Sequence, residues 1–394
     1  MGLTARYGRS VVGRSAELSP GPSQVESAAG LSDAPGASLP FEVHDARWTT
    51  PDLAWLAGAV SAPLDAVARL PPLALGRRLE AIQRRLPPRV VALDLETTGF
   101  GAGGTIPFMI GALYERAEGD GWALRQWCLR SMGGERPMIE DCVAFLRGLG
   151  PRTLLTYNGK SFDLPVMRGR TRRLSMETFA VEGAHLDLLH PARRLWDEGR
   201  GTCRLTALER RLLDRTRVGD IDGSEIPDVF WARLATPRCR EVAERWMSVR
   251  RHNALDLASL LVLAGHAAHA HAAPRTLREA MAASHPSVGA TPAEVVSLLA
   301  PWCGDDAPSS PVQDRAEQRL RDAHGRCDDW DGVARSLRRG LRHTPDDPGA
   351  IRRLAWVLER RLRRPREALE VLRGDRHACP RRIARLQRQI ERAS

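Results

Sequence analysis

One short apolar run that ends in acid constrains this chain more than any other stretch: Val90-Val91-Ala92-Leu93-Asp94-Leu95-Glu96, followed by Thr97-Thr98-Gly99. Pro87-Pro88 ahead of it and Thr-Thr-Gly behind it give the abrupt boundaries of a buried strand. Side chains alternate along a strand, so Asp94 and Glu96, two apart, project from the same face at its end. Carboxylates that close repel each other, and a fold tolerates the pair where a cation or solvent offsets the charge. The stretch therefore reads either as part of a divalent-metal site or as a solvated strand end with two ordinary acids. Residues downstream bear on the choice.

The 394 residues leave room for two or three domains and a sizeable core. No apolar run approaches the roughly 20 residues that span a bilayer, and the N-terminus lacks a signal-peptide pattern, so a cytoplasmic location is expected. The seven cysteines are scattered, without a Cys-x-x-Cys pair, which argues against a disulfide framework or a thiolate zinc site. A net charge of +11 suits a polyanionic partner such as nucleic acid. Nearly all of the positive charge is arginine, and Lys160 is the single lysine. It either sits where a compact ammonium is required or is a chance survivor of compositional bias.

Residues 1–45, rich in Ser, Gly, Ala and Pro, read as a disordered tail, and 46–88 as a helical lead-in. Two further strands are expected over Ile106–Arg116 and Trp122–Arg130, joined by a turn containing Asp120-Gly121. A helix follows over Met138–Leu149, then a strand over Thr153–Tyr157, a strand over His185–Leu189, and helices around Ala192–Trp196 and Leu205–Leu213. A long helical pattern runs from Arg238 to Ala273. This order predicts an α/β fold, a mixed sheet flanked by helices, over 89–273. Residues 274–312 read as a linker holding one short helix at Pro292–Leu299. From 313 to 394 the chain is basic and helical, and a 34-residue offset relates Ala334 to Ala368, Leu337 to Val371 and Gly340 to Gly374. That period suits an all-α, tetratricopeptide-like helical-repeat domain, with generic helical hairpins as the alternative.

Three more residues extend the opening pair. Asp163 follows a strand and a Gly turn, where its carboxylate can face the same sheet edge. Asp256 and His252 share a face of the long helix because they stand four apart. Four acids and an imidazole would hold two divalent ions and a base, the equipment for in-line displacement at phosphorus.

At these positions the chain resembles the ribonuclease-H-like DEDD exonucleases. Asp94-Leu95-Glu96 matches their first motif, Asp163 the end of the second, and His252 with Asp256 the third. It looks more closely like the bacterial YprB-like branch. Thr156-Tyr157-Asn158-Gly159-Lys160-Ser161-Phe162-Asp163, His185-Leu186-Asp187-Leu188-Leu189-His190, Arg193-Arg194-Leu195-Trp196, Asp220-Ile221-Asp222-Gly223-Ser224-Glu225-Ile226-Pro227 and His252-Asn253-Ala254-Leu255-Asp256 follow that family in order. The resemblance covers about residues 89–265. It implies a ribonuclease-H-like fold and a metal-dependent 3′-to-5′ exonuclease acting on DNA or RNA, with two Mg²⁺ or Mn²⁺ ions on Asp94, Glu96, Asp163 and Asp256. One departure concerns the base. In the histidine branch it stands five residues before the last Asp, whereas His252 stands four before, a difference of about 100° around a helix.

Thr97, Thr98, Asn158 and Lys160 are the candidate substrate contacts, the threonines through the resemblance and the other two through their place beside Asp163. Asp187 reads more simply as structural than as a further acid. His266, His269 and His271 read as a solvated helix face. A nucleic-acid-binding or scaffolding protein without turnover, and a structure-specific endonuclease, are the alternative functions. The C-terminal helices would hold the nucleic acid strand or recruit a protein partner.

Overall fold

The computed structural model describes residues 40–48, 90–99, 104–116, 122–150, 152–180, 183–197, 203–213, 216–305, 307, 310–374 and 378–392. Most of the expected tail and nearly all of the expected helical lead-in over 46–88 lie outside these residues. Where the description reaches that part of the chain it differs from expectation. Phe41–Trp48 is a strand, β1, paired along its whole length with a later one. An edge strand needs one ladder and one apolar face, so a segment as polar as Glu42-Val43-His44-Asp45 suffices for it.

The remaining strands are β2 (Val90–Thr97), β3 (Pro107–Glu115), β4 (Trp122–Leu129), β5 (Thr153–Thr156) and β6 (His185–Asp187). The sheet order is β1-β4-β3-β2-β5-β6. β1 through β2 form an antiparallel half, and β5 and β6 add on in parallel. The sheet is mixed, as expected. Helix α1 (Glu135–Gly148) crosses between the two halves, and α2 (Asp163–Arg173) connects β5 to β6. Then come α3 (Leu189–Trp196), α4 (Leu205–Leu213), α5 (Ile226–Ala235) and the 33-residue α6 (Arg240–Ala272).

Alternation along β2 decides which layer each residue joins. Val91, Leu93 and Leu95 pack with Met138, Ile139 and Cys142 of α1. Val90 and Ala92 join the other cluster, with Leu257, Leu260 and Leu261 of α6. Each leucine buried in this way contributes about 1.5–3 kcal/mol. Continuing the even positions carries Asp94 and Glu96 to the side on which α6 lies.

Residues 274–312 are more structured than a linker. They hold α7 (Leu277–Ala283) and α8 (Pro292–Leu299), each opened by a Thr-x-x-Glu capping box, at Thr276 with Glu279 and at Thr291 with Glu294. Ala280, Val295, Leu299 and Cys303 form one buried cluster with Ala316, Leu320 and Ala323 of α9 (Pro311–Arg326). The abundant Ala and Pro that suggested a linker instead supply close-packing residues and helix first turns. Beyond α9 lie α10 (Trp330–His343), α11 (Pro348–Trp356, prolonged by a π turn through Arg361), α12 (Pro365–Arg373) and α13 (Pro380–Glu391). Each packs on its neighbour in sequence. Of the residues related by the 34-residue offset, Ala334 of α10 and Ala368 of α12 are both buried in one cluster. Among the described residues no helix is long and apolar enough to cross a membrane.

Candidate active site

The site is built on a row that runs across three strands. Asp94, Gly111 and Gln126 are register partners on β2, β3 and β4. A Cβ at Gly111 would lie 2.1 Å from Asn253 Oδ1 and 2.7 Å from a methyl carbon of Leu257. Glycine in the middle of the row is therefore what lets α6 settle onto the sheet. Asn253, fully buried, then reaches both ends: its Nδ2 donates to Asp94 Oδ2 at 2.8 Å, and its Oδ1 accepts from Gln126 Nε2 at 2.9 Å.

Asp163 is the first residue of α2, where the helix dipole favours a carboxylate. The preceding turn is shaped by Asp187 at the end of β6. Its carboxylate accepts from the backbone N–H groups of Asn158 at 2.8 Å, Lys160 at 2.9 Å and Leu189 at 3.1 Å. Asn158 adopts φ +66°, and a Cβ at Gly159 would lie 2.2 Å from Thr156 Oγ1. Asp187 therefore has the structural role expected of it.

The four acids sense one another. Burial pushes the Asp94 carboxyl well above its usual range, and the charges of Asp256, Glu96 and Asp163 add to the shift, against the Asn253 amide. Burial also raises Glu96 to about 8, with Asp256, Asp163 and Asp220 adding and His252 opposing. Asp163 is raised by burial to about 7, although hydrogen bonds from the backbone of Asp163 and Leu95 pull the other way. Asp256 is raised by burial, against the charges of Arg217 and His252.

His252 turns toward these acids despite its spacing. Its Nδ1 donates to Asp220 Oδ2 at 2.9 Å, and its Nε2 stands 3.5 Å from Asp256 Oδ2. Burial favours the neutral ring, but the bond to Asp220 and the charges of Asp256 and Glu96 outweigh it and raise the imidazole above its ordinary value.

Sequence reasoning did not single out Arg217. Its guanidinium contacts three acids at once: Glu209 at 2.7 Å through Nε, Asp220 at 3.1 Å and Asp256 at 2.5 Å. Glu209, on α4, is itself buried and accepts from Ser259 Oγ of α6 at 2.5 Å. No local pattern announces a contact between residues 39 apart. Asn253 had a visible signal, an amide three residues before Asp256 on the same helix.

The other candidates lie at the rim. Thr97 and Thr98 are half-buried at the end of β2, where Thr98 Oγ1 accepts from Ile106 N at 3.2 Å. Asn158 and Lys160 are exposed on the Asp187-shaped turn. Of the three helix histidines, His269 is exposed, but His271 is buried with its Nδ1 on the Ala267 carbonyl at 2.8 Å, so the solvated-face expectation fails there. The last turns of α6 lie under α3 and α7, which is why the ring is covered.

The donor set suits a divalent cation by its chemistry: hard carboxylate oxygens, half-buried or, at Asp163, buried, and mutually repelling, with no ion pair to Asp94, Glu96 or Asp163 among the described residues. No three His, Cys, Asp or Glu side chains among the described residues are drawn into a closed metal-holding group. Asp256 is the acid held by a different cation, Arg217.

Parts of this chain resemble known proteins. A Bacillus subtilis (strain 168) protein described as uncharacterized protein YprB is 31% identical over 175 residues, a stretch that spans 44% of this chain and 40% of that protein's length. Among solved structures, the family B DNA polymerase of the archaeon Pyrobaculum calidifontis aligns with a TM-score of 0.38 at 15% identity, covering 55% of this chain and 29% of that one. A zinc-bound E. coli ExoI–ssDNA complex aligns at 0.26 and 17%, covering 43% and 45%. The model of the RNase_H superfamily matches residues 91–268, a span that contains all four acids, Arg217, His252 and Asn253. Residues 91–268 are thus an RNase_H-superfamily domain.

Proposed function

We propose that this domain is a metal-dependent nuclease, a 3′-to-5′ exonuclease on DNA or RNA. The observation that carries the reading is the group of four carboxylates, Asp163 buried and Asp94, Glu96 and Asp256 half-buried, each with its pKa raised chiefly by desolvation, on a strand end, a helix start and a long helix. A fold retains so costly a group where a strong positive charge is needed. Asp94, Glu96, Asp163 and Asp256 would hold two Mg²⁺ or Mn²⁺ ions. When bound, such ions neutralise the scissile phosphate and activate the attacking water.

The chain's own residues do the rest. Asn253 fixes the rotamer of Asp94, and the helix start orients Asp163. His252, once the charges of Asp256 and Glu96 are offset, accepts the proton of the attacking water at Nε2, while its Nδ1–H stays on Asp220, whose carboxylate orients the ring and stabilises the imidazolium. Thr97, Thr98, Asn158 and Lys160 contact the terminal nucleotide. The basic C-terminal helices hold the strand or dock a protein.

The test is degradation of 5′-labelled single-stranded DNA and RNA oligonucleotides with Mn²⁺, comparing wild type, Asp94→Asn and a chelator control. A ladder shortening from the 3′ end, reduced at least about 10³-fold in the variant, is the expected result. Internal cuts from the start would make it an endonuclease. Tight binding without cleavage, unaltered in Asp94→Asn, would leave a binding module.

A further inference from the structure

The ion pair between Arg217 and Asp256 has no place in the catalytic scheme above, yet it is among the most constrained contacts of the site. Arg217 is only 9% exposed at its side chain and Glu209 only 4%. The guanidinium spans Glu209 on α4, Asp220 in the following loop and Asp256 on α6. It therefore brings a positive charge, on a rigid anchor, to the one carboxylate of the four that comes from α6. The guanidinium's five donors sit in a fixed fork, so it pairs both oxygens of Glu209 while its other N–H groups reach Asp220 and Asp256.

We propose that Arg217 is a built-in counter-cation that competes with a divalent ion for Asp256. The inference rests on the metal-dependent reading of the site. Glu209 and Asp220 hold the guanidinium whether or not Asp256 is shared with it, so Arg217 can give up one of its three partners without being left buried and unpaired. Its charge then stays beside the ion it has yielded to, lowering the affinity of the site. That arrangement sets a threshold: ion binding at Asp256 must exceed the strength of a short, largely buried, charge-assisted contact. It also makes Arg217 a positioning residue, since Asp256 keeps one orientation on α6 before an ion engages it.

The test is Mn²⁺ binding by isothermal titration calorimetry on the full chain, which reads affinity rather than turnover. The comparison is wild type against the double variant Glu209→Gln with Arg217→Met, which removes the cation together with the charge of its most buried partner, Asp220 keeping His252 and Asp256 left free for the ion, and against Arg217→Lys, which keeps the charge. Thermal unfolding checks that each is folded. Competition predicts Mn²⁺ affinity at least about tenfold tighter in the double variant, because a nearby positive charge is gone. Arg217→Lys should stay within about threefold of wild type. Affinity unchanged or weaker in a folded double variant overturns the role of Arg217. If Asp94→Asn abolishes Mn²⁺ binding in that same experiment, the metal-dependent reading survives the failure. If no folded protein binds Mn²⁺, both fall.

Discussion

At the scale of single residues, the site is a place where stability has been given up. Glu96 in the folded protein titrates at about 8, against 4.5 for a free glutamate, because burial and the charges of Asp256, Asp163 and Asp220 disfavour its ionised form. An acid raised by folding binds its proton more tightly in the native state. Its contribution to stability is full below about pH 4.5 and is lost as the pH climbs through 8. Asp94, Asp163 and Asp256 shift in the same direction, and the raised His252 adds a loss of the same sign. In chelator, the urea midpoint should fall between pH 5 and pH 9. Glu96→Gln should fall less steeply, be the more stable protein at pH 9, and have no nuclease activity. A wild-type midpoint that is flat or rises over that range would contradict the electrostatics. The Asp-x-Glu pair behind this behaviour was legible from alternation alone. The Arg217 contacts were not, because they join three segments that only the tertiary fold brings together.

Elements place those residues, and the tightest constraint is the fit of α6 on the sheet. Gly111 is the register partner of Asp94, and α6 lies so close above it that Asn253 and Leu257 occupy the space of a side chain. Gly111→Ala would require α6 to retreat or Asn253 to turn away. Either response strains a packed interface, with a cost of about 1–3 kcal/mol in unfolding free energy. The change should also weaken the Asn253 bond to Asp94, so activity should fall by more than the folded fraction does. An alanine variant with wild-type stability and activity would mean the interface has slack. The elements whose periodicity is strong, β2, β3, β4 and α6, were readable in sequence to within a few residues. β1 was not, because an edge strand carries only half a pattern, and neither was α5, whose Ile226-Pro227 start ends a motif read for its resemblance rather than its helical spacing. The Gly111 role depends on an approach distance, for which sequence has no signal beyond a glycine inside a strand.

For the whole molecule, the segment between the sheet domain and the C-terminal helices decides whether the chain behaves as beads on a string. α7 packs against α3 and α6 on one side and against α8 and α9 on the other. Ala282 of α7 is buried with Leu195, Ala267 and Ala270, while Ala280 two residues earlier is buried with Val295, Leu299 and Leu320. One short helix thus belongs to both cores, and a load on either is felt by the other. Leu299, fully buried in the second core, is the sensitive probe. In that core, Leu299→Ala leaves a cavity and costs about 2–5 kcal/mol. If residues 274–312 were a solvated linker, the same change would stay within about 0.5 kcal/mol of wild type. Urea unfolding followed by circular dichroism separates the two. A loss in the larger range means that residues 274–312 pack with α9 as a core, which α7 joins to α3 and α6 of the sheet domain.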